Sequence, residues 1–285
     1  MEIFRTISEM QEWSDNIHQK GDRICLVPTM GYFHEGHLSL MEKGKKFCAD
    51  LVVSLFVNPT QFGENEDLDS YPANIERDIS LAEKKGVTII FMPDKREIYP
   101  CRFQTYVELT ELPTHLCGLS RPVHFRGVAT IVTKLFNIVK PDVAVFGLKD
   151  FQQIQIIRRM VKDLNYNIEI VGCPIVREDD GLAMSSRNAY LSTEQRQSAL
   201  CLSKALKKVE EIITTGETNA NSIKKELEGY IESFPFTKID YISLCDSETL
   251  EEINDLKALH SLLIALAVYV GQTRLIDNII INPAQ

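Results

Sequence analysis

Short, continuously apolar runs alternate with longer stretches of helical period through the first part of this chain. Residues 24–27 and 51–57 are such runs, of the kind found in parallel strands covered on both faces. A helix is predicted from about Gly36, carried by residues 38–47. A second, over 75–85, is closed by Gly86 and leads into a strand at 87–92. Beyond these, 128–139 reads as helix, 143–146 as strand, 151–164 as helix and 168–171 as strand. Strands alternating with helices predict right-handed crossovers and an open, doubly wound parallel sheet of α/β class. Ligands of such sheets sit at the carboxyl ends of the strands.

The rhythm changes after Val176. Arg177-Glu178-Asp179-Asp180-Gly181 is charged and turn-rich and reads as a hinge or linker. Ser192-x-x-Gln195 has the form of a capping box, opening a helix with Leu202, Leu206, Val209 and Ile213 on one face. Another helix is expected near 221–233, then strands at 239–244, 262–270 and 275–281. The pattern predicts two domains: 1–176, holding the parallel sheet, and 177–285, a smaller α+β domain with an antiparallel sheet.

Composition narrows the function. The 285 residues carry a formal net charge of −9, which argues against nucleic acid or an acidic membrane as general partner. An anionic substrate would need a locally positive pocket, for which Arg121, Arg126, Lys149 and Arg187 are candidates. Seven scattered cysteines with no C-x-x-C fit reduced thiols better than a disulfide framework or a zinc site. The first residues, Met1-Glu2-Ile3-Phe4-Arg5, hold no apolar signal core, and the longest apolar run, 262–270, is too short to span a bilayer. A soluble, cytoplasmic protein is expected.

The most informative stretch is Val27-Pro28-Thr29-Met30-Gly31-Tyr32-Phe33-His34-Glu35-Gly36-His37-Leu38, where a strand hands over to a helix. The first N–H groups of a helix lack intrahelical partners, so such a corner suits phosphate. Imidazoles beside it can donate to phosphate oxygens or neutralise a leaving group. Two other readings stand beside this one: zinc ligation and simple turn polarity. The histidines are three apart, not four as in H-E-x-x-H, and Gly36 between them weakens a helix. No G-x-x-x-x-G-K-[ST] or G-x-G-x-x-G is present.

Pro28-Thr29-Met30-Gly31, His34-Glu35-Gly36-His37-Leu38-Ser39-Leu40, Asn58-Pro59-Thr60-Gln61-Phe62-Gly63, Arg121-Pro122-Val123-His124-Phe125-Arg126-Gly127-Val128, Phe146-Gly147-Leu148-Lys149-Asp150-Phe151-Gln152-Gln153 and Ala183-Met184-Ser185-Ser186-Arg187-Asn188 follow one another in the chain. In this order they resemble the sequence blocks of the pantothenate synthetase (pantoate–β-alanine ligase) family, part of the HxGH nucleotidyl-transferase superfamily. The resemblance runs over essentially the whole chain and implies a Rossmann-like, HxGH-type sheet. The activity it implies is ligation of (R)-pantoate and β-alanine at the expense of ATP. Pantoate attacks the α-phosphate, giving pantoyl adenylate and pyrophosphate; the amine of β-alanine then displaces AMP.

The resemblance also implies roles. His34 and His37 contact phosphate, His37 as proton donor. Met30, Gly31, Tyr32, Phe33, Glu35 and Gly36 complete the first ATP segment, Gly147, Leu148, Lys149 and Asp150 form a second, and Val176 gives a backbone contact to adenine. Met184, Ser185, Ser186 and Arg187 stand where the superfamily has its mobile K-M-S-K-S-like loop; their hydroxyls and guanidinium can follow the β- and γ-phosphates. Gln61 and Gln153 match the glutamines that hold pantoate, Asn58 lies in the first of those blocks, and Arg121 and His124 lie in a block that approaches the phosphates. Mg²⁺ is expected as the counter-ion of ATP; no ligand set stands out, and Asp78 is the one carboxylate considered. The family's homodimers suggest a homodimer here, and the apolar, β-branched segment 103–112 is either part of that surface or an internal edge strand or hairpin. The chain departs from the family at Tyr32-Phe33, where a small residue and leucine are commoner, at Leu148, usually Glu or Gln, and at Cys117, often glutamate. The competing readings are another HxGH nucleotidyl transferase that stops at its nucleotide-linked product, or a non-catalytic nucleotide-binding relative.

Overall fold

The apolar run that begins at Ile24 lies in the middle of a six-stranded parallel sheet. A computed structural model describes residues 1–64, 66–256 and 261–281. Its strands are β1 (Glu2–Phe4), β2 (Ile24–Thr29), β3 (Asp50–Leu55), β4 (Ile89–Phe91), β5 (Val143–Gly147) and β6 (Glu169–Cys173). They lie in the order β1-β4-β3-β2-β5-β6, every pair parallel. The chain therefore moves outward from β2 through β3 to β4, then returns to β2's other side with β5. That reversal opens a crevice at the carboxyl ends of β2 and β5, the place where doubly wound sheets bind ligands.

The helices of this unit are α1 (Ile7–Gln19), α2 (Glu35–Lys45), α3 (Ile75–Lys84), α4 (Lys95–Ile98) and α6 (His124–Val139), with most of α7 (Phe151–Asp163); α5 (Cys117–Ser120) falls in the second unit. Alternate residues of each strand feed two cores. Leu26, Val52, Phe91 and Phe146 pack with Met10 of α1, Val132 of α6 and Ile154 of α7, while Cys25, Val27, Val53 and Val145 pack with Leu38 and Met41 of α2. Burial on both faces is why these strands read as unbroken apolar runs. β1 and α1 were not foreseen, although Thr6 and Glu9 form a capping box, Thr6 Oγ1 accepting from Glu9 N at 3.3 Å.

Segment 103–112 is neither strand nor hairpin. Val107 N donates to Thr130 Oγ1 at 3.0 Å rather than to a ladder, and Val107 and Leu109 pack on the core. Tyr106 stays exposed, with the Arg126 guanidinium 5.0 Å from its ring centre.

The chain divides into two units by contact: 1–110, 121–148 and 153–175 form the first, and 111–120, 149–152 and 176–285 the second. In the second, α8 (Thr193–Ala199), α9 (Cys201–Thr214) and α10 (Ala220–Glu232) accompany an antiparallel sheet of β7 (Thr237–Asp246), β8 (Leu262–Val270) and β9 (Thr273–Ile281). The Ser192–Gln195 capping box opens α8 as expected. The expected single helix breaks at Leu200, within the buried run Ala199, Leu200, Cys201 and Leu202. All seven cysteines are free thiols, and among the described residues no helix is long and apolar enough to cross a membrane.

Gly127, near the start of α6, packs directly against the loop after β3. A Cβ there would stand 2.4 Å from the Thr60 carbonyl oxygen and 2.6 Å from Gln61 Cα. Backbone cannot yield as a side-chain tip can, so Gly127→Ala is expected to cost about 1–3 kcal/mol. A lowered urea midpoint checks this; an unchanged midpoint contradicts it.

Candidate active site

The corner after β2 must satisfy a run of main-chain N–H groups without a regular partner strand. Gly31 (φ +89°) and Tyr32 (φ +53°) turn the chain sharply, a conformation glycine adopts freely and tyrosine only under constraint. The constraint comes from Asp78 on α3. Its Oδ2 accepts from Tyr32 N at 2.6 Å and its Oδ1 from Phe33 N at 2.7 Å, with only 1% of the residue exposed. Burial lifts the Asp78 carboxyl above its ordinary range, against the lowering effect of these two bonds. Arg77 follows, donating from Nη1 to Phe33 O at 2.8 Å. The Phe33 side chain is buried in the core, so this residue contributes an anchor rather than a side-chain contact to ATP. Asp78, the carboxylate considered from sequence as a metal ligand, braces the turn through both of its oxygens. Among the described residues no group of three or more His, Cys, Asp and Glu could hold a metal ion.

His34 is the N-cap of α2. Its Nδ1 accepts from Gly36 N at 3.1 Å, and His37 Nδ1 accepts from His34 N at 3.4 Å, a capping box built from two histidines. A main-chain N–H can only donate, so in each neutral ring the hydrogen sits on Nε2. The rings lie 4.1 Å apart between centroids. The corner thus sets two Nε2–H donors at the positive end of a helix. This is the arrangement phosphate needs, and it explains the i, i+3 spacing that zinc ligation does not.

Beside β2, the loop after β3 carries Asn58 (1% exposed) and Gln61 (8% exposed). Asn58 Nδ2 donates to Gln61 Oε1 at 3.0 Å and to Gly127 O at 3.1 Å; Gln61 Nε2 meets Met30 Sδ at 3.2 Å. The structure therefore brings Met30, Asn58 and Gln61 together. His124 caps this from α6, Nδ1 donating to Gln61 O at 2.9 Å, since a carbonyl only accepts. Arg121 Nη1 lies 3.4 Å from His124 Nε2, and Arg121 Nε donates to Glu66 Oε1 at 2.7 Å with Nη2 on Glu66 Oε2. Burial pushes the Glu66 carboxyl up, but the Arg121 hydrogen bond and charge outweigh it and hold it below the usual range. Arg121 is thus a neutralised brace rather than the spare positive charge expected. Arg126, another of those candidates, is exposed over Tyr106. Glu66 and Tyr99, whose hydroxyl donates to Asn58 Oδ1 at 2.7 Å, were missed from sequence; no local motif marks either.

After β5, Gly147 and Leu148 close the strand. Leu148 lies against Gly172 of β6 and packs on the core. Of the two adjacent glutamines, Gln153 is half-buried in the first unit. Gln152, in the second, is 6% exposed and structural: Nε2 donates to Leu112 O (2.9 Å) and His115 O (2.7 Å), and Oε1 accepts from Cys117 N (2.9 Å).

The other candidates, Lys149, Asp150, Val176 and Met184 to Arg187, belong to the second unit. Lys149 is half-buried, its carbonyl accepting from Asn278 Nδ2 at 2.8 Å. The expected hinge at 177–181 is instead a pinned hairpin. Arg177 bridges to Ala183, Met184 N donates to Val176 O at 3.0 Å, and the turn closes at Gly181. Arg177 grips buried Asp277 through Nη1 (2.6 Å) and Nη2 (3.0 Å), and Arg196 Nη2 reaches Glu178 and Asp180, each at 2.7 Å. Of the charges that suggested a linker, Arg177, Glu178 and Asp180 are held in ion pairs. Ser185 Oγ accepts from Arg187 N at 3.3 Å, opening a short 3₁₀ turn over Ser186–Tyr190.

A doubly wound parallel sheet with phosphate-type donors at its switch point marks a protein of the nucleotide-handling α/β class. Comparison with known proteins is specific. The family model described as pantoate-beta-alanine ligase matches residues 2–280. A pantothenate synthetase of Desulforapulum autotrophicum is 59% identical over all of both chains, and one of Thermotoga petrophila 53% identical over 99% of this chain and 100% of its own. The crystal structure of pantothenate synthetase from Thermus thermophilus superposes with a TM-score of 0.92 at 39% identity, covering 98% of this chain and 99% of that one. A Francisella tularensis pantoate-beta-alanine ligase, solved with beta-gamma ATP and beta-alanine, gives 0.79 at 32% identity, covering 98% and 97%. The chain belongs to the pantoate–β-alanine ligase family.

Asp78→Asn tests the brace. An amide can accept one of the two N–H groups but turns its own NH₂ toward the other, so a loss of about 1–3 kcal/mol in unfolding free energy is expected. Denaturant titration reads it, and a variant as stable as the parent contradicts the role.

Proposed function

We propose that the β2–α2 corner carries out the first half of pantothenate formation in this chain, activation of pantoate by ATP. The observation that carries the proposal is the reciprocal histidine cap, which holds two Nε2–H donors at the N-terminus of α2. Attack of pantoate's carboxylate on the α-phosphate develops charge on the departing pyrophosphate. Fixed donors pointing at that charge stabilise the transition state without reorganising. His37 is assigned as the proton donor and His34 as its partner on the phosphates. Lys149, Ser185, Ser186 and Arg187 are assigned to the phosphates that leave, and Gln61 and Gln153 to pantoate. Neutral amides hold a carboxylate nucleophile without quenching it as a close lysine would. In the second half the amine of β-alanine attacks the acyl carbon and AMP departs. Both steps need positioning more than covalent catalysis.

Magnesium enters with ATP as the counter-ion of the nucleotide. The described residues offer no cage for it, which suits an ion that keeps its waters and is held through phosphate oxygens. A cytoplasmic, reducing location agrees with seven free thiols. The test of the whole reading is incubation with MgATP, pantoate and β-alanine: AMP and pantothenate should accumulate in equal amounts. A nucleotide-linked pantoate that never passes to the amine would instead mark a nucleotidyl transferase.

His34→Ala and His37→Ala should each stay folded yet slow adenylate formation by ~10²–10³, the usual effect of losing one preorganised donor. Single-turnover pyrophosphate release measures this, and near-normal rates in both variants contradict it. The family's assembly suggests a homodimer. Sedimentation at micromolar concentration should give about twice the 32.4 kDa chain mass, and a monomer overturns it. Of the two residues in segment 103–112 suited to probing that surface, Tyr106 is exposed, whereas Val107 packs on the core. Tyr106→Asp is therefore the informative substitution.

A further inference from the structure

We propose that Tyr99 is a positioning residue for the acid substrate: through Asn58 it sets Gln61 to offer an N–H, not a carbonyl, to a substrate oxygen. The inference rests on the assignment of Gln61 to pantoate. The orientation of a side-chain amide is normally ambiguous, but here main-chain groups decide it. Gly127 O can only accept, so the atom of Asn58 lying 3.1 Å from it is Nδ2; Thr60 N can only donate, so the atom 3.4 Å from it is Oδ1. Nδ2 of Asn58 also faces the Gln61 amide at 3.0 Å, which must therefore turn its oxygen inward. The Gln61 nitrogen is left on the Met30 side, where its protein neighbour is a thioether sulfur at 3.2 Å, a weak acceptor. A ligand oxygen at that nitrogen would be the stronger acceptor.

Tyr99 strengthens the lock. It is the residue that ends α4, and its hydroxyl donates to Asn58 Oδ1 at 2.7 Å while lying 3.1 Å from Thr60 Oγ1. Burial pushes the phenol up to about 12, so it remains a donor throughout the neutral range. The ring is held separately: Phe103 meets it edge-on at 5.0 Å and Lys134 Nζ lies 5.9 Å from its centre. Removing the hydroxyl alone thus leaves the packing in place, and loosens Asn58 without touching the substrate.

The experiment is calorimetric titration of pantoate into the full chain with α,β-methylene ATP present, so that binding is read without turnover. Four proteins are compared: parent, Tyr99→Phe, Gln61→Ala and the double variant. Tyr99→Phe should bind pantoate about tenfold more weakly, as expected for one buried hydrogen bond, with unchanged affinity for the nucleotide. The double variant should bind no more weakly than Gln61→Ala, because residues acting through one another are not additive. Unchanged pantoate affinity in Tyr99→Phe, or an equal loss in both backgrounds, overturns the proposal. If Tyr99→Phe does not fold, Tyr99→Leu, which also removes the hydroxyl, takes its place and is read in the same way. Gln61→Ala binding pantoate like the parent would instead overturn the assignment of Gln61.

Discussion

The site depends on one requirement: the main-chain N–H groups between the end of β2 and the first turn of α2 must be satisfied by side chains. An unpaired buried N–H costs about as much as a lost hydrogen bond, and four buried or half-buried ones lie close together here. Asp78 takes those of Tyr32 and Phe33, His34 takes that of Gly36, and His37 takes that of His34. The same bonds that end the strand and start the helix orient both imidazoles and choose their tautomer. Folding and the orientation of both rings are therefore one event at this corner. A serine or asparagine could cap the helix equally well, but neither would present a ring N–H beyond it.

The neighbouring loop is built on the same logic. Asn58, Gln61, His124, Arg121 and Glu66 form a chain of hydrogen bonds whose ends are anchored by main-chain carbonyls and an ion pair. Charge is handled locally as well. The chain is acidic overall, with a net charge of −9, and Arg121, Arg177 and Arg196 are all matched by carboxylates. In the proposed reaction, attraction for an anionic substrate is assigned to aligned N–H donors, Lys149 and Arg187.

What was legible in the sequence follows from which signals are local. The parallel sheet could be read because burial on both faces leaves unbroken apolar runs, and its ligand edge because the blocks at Met30, Asn58 and Gly147 each follow a strand. β1 is three residues long and too short to show a period, although the Thr6–Glu9 box before α1 carried the same signature recognised at Ser192. Segment 103–112 has strand composition, yet a side-chain acceptor on Thr130 takes the main-chain N–H that a ladder would need. Charged residues were the least legible. Asp78, Arg121 and the 177–181 turn look like site or linker chemistry in one dimension, and their bracing bonds go to partners 45, 55 and 100 positions away. Tyr99 and Glu66 were invisible for the same reason: their meaning lies wholly in distant contacts.

The state of the two imidazoles decides between a prepared phosphate site and a merely polar turn. Nitrogen-15 NMR of histidine-labelled protein at neutral pH, with His34 and His37 identified by single substitutions, reads it directly. Both rings should show an unprotonated, hydrogen-bonded Nδ1 and a proton on Nε2, and the Nε2–H signals should move on addition of ATP. A proton on Nδ1 of either ring, or Nε2–H signals indifferent to saturating ATP, would contradict the account.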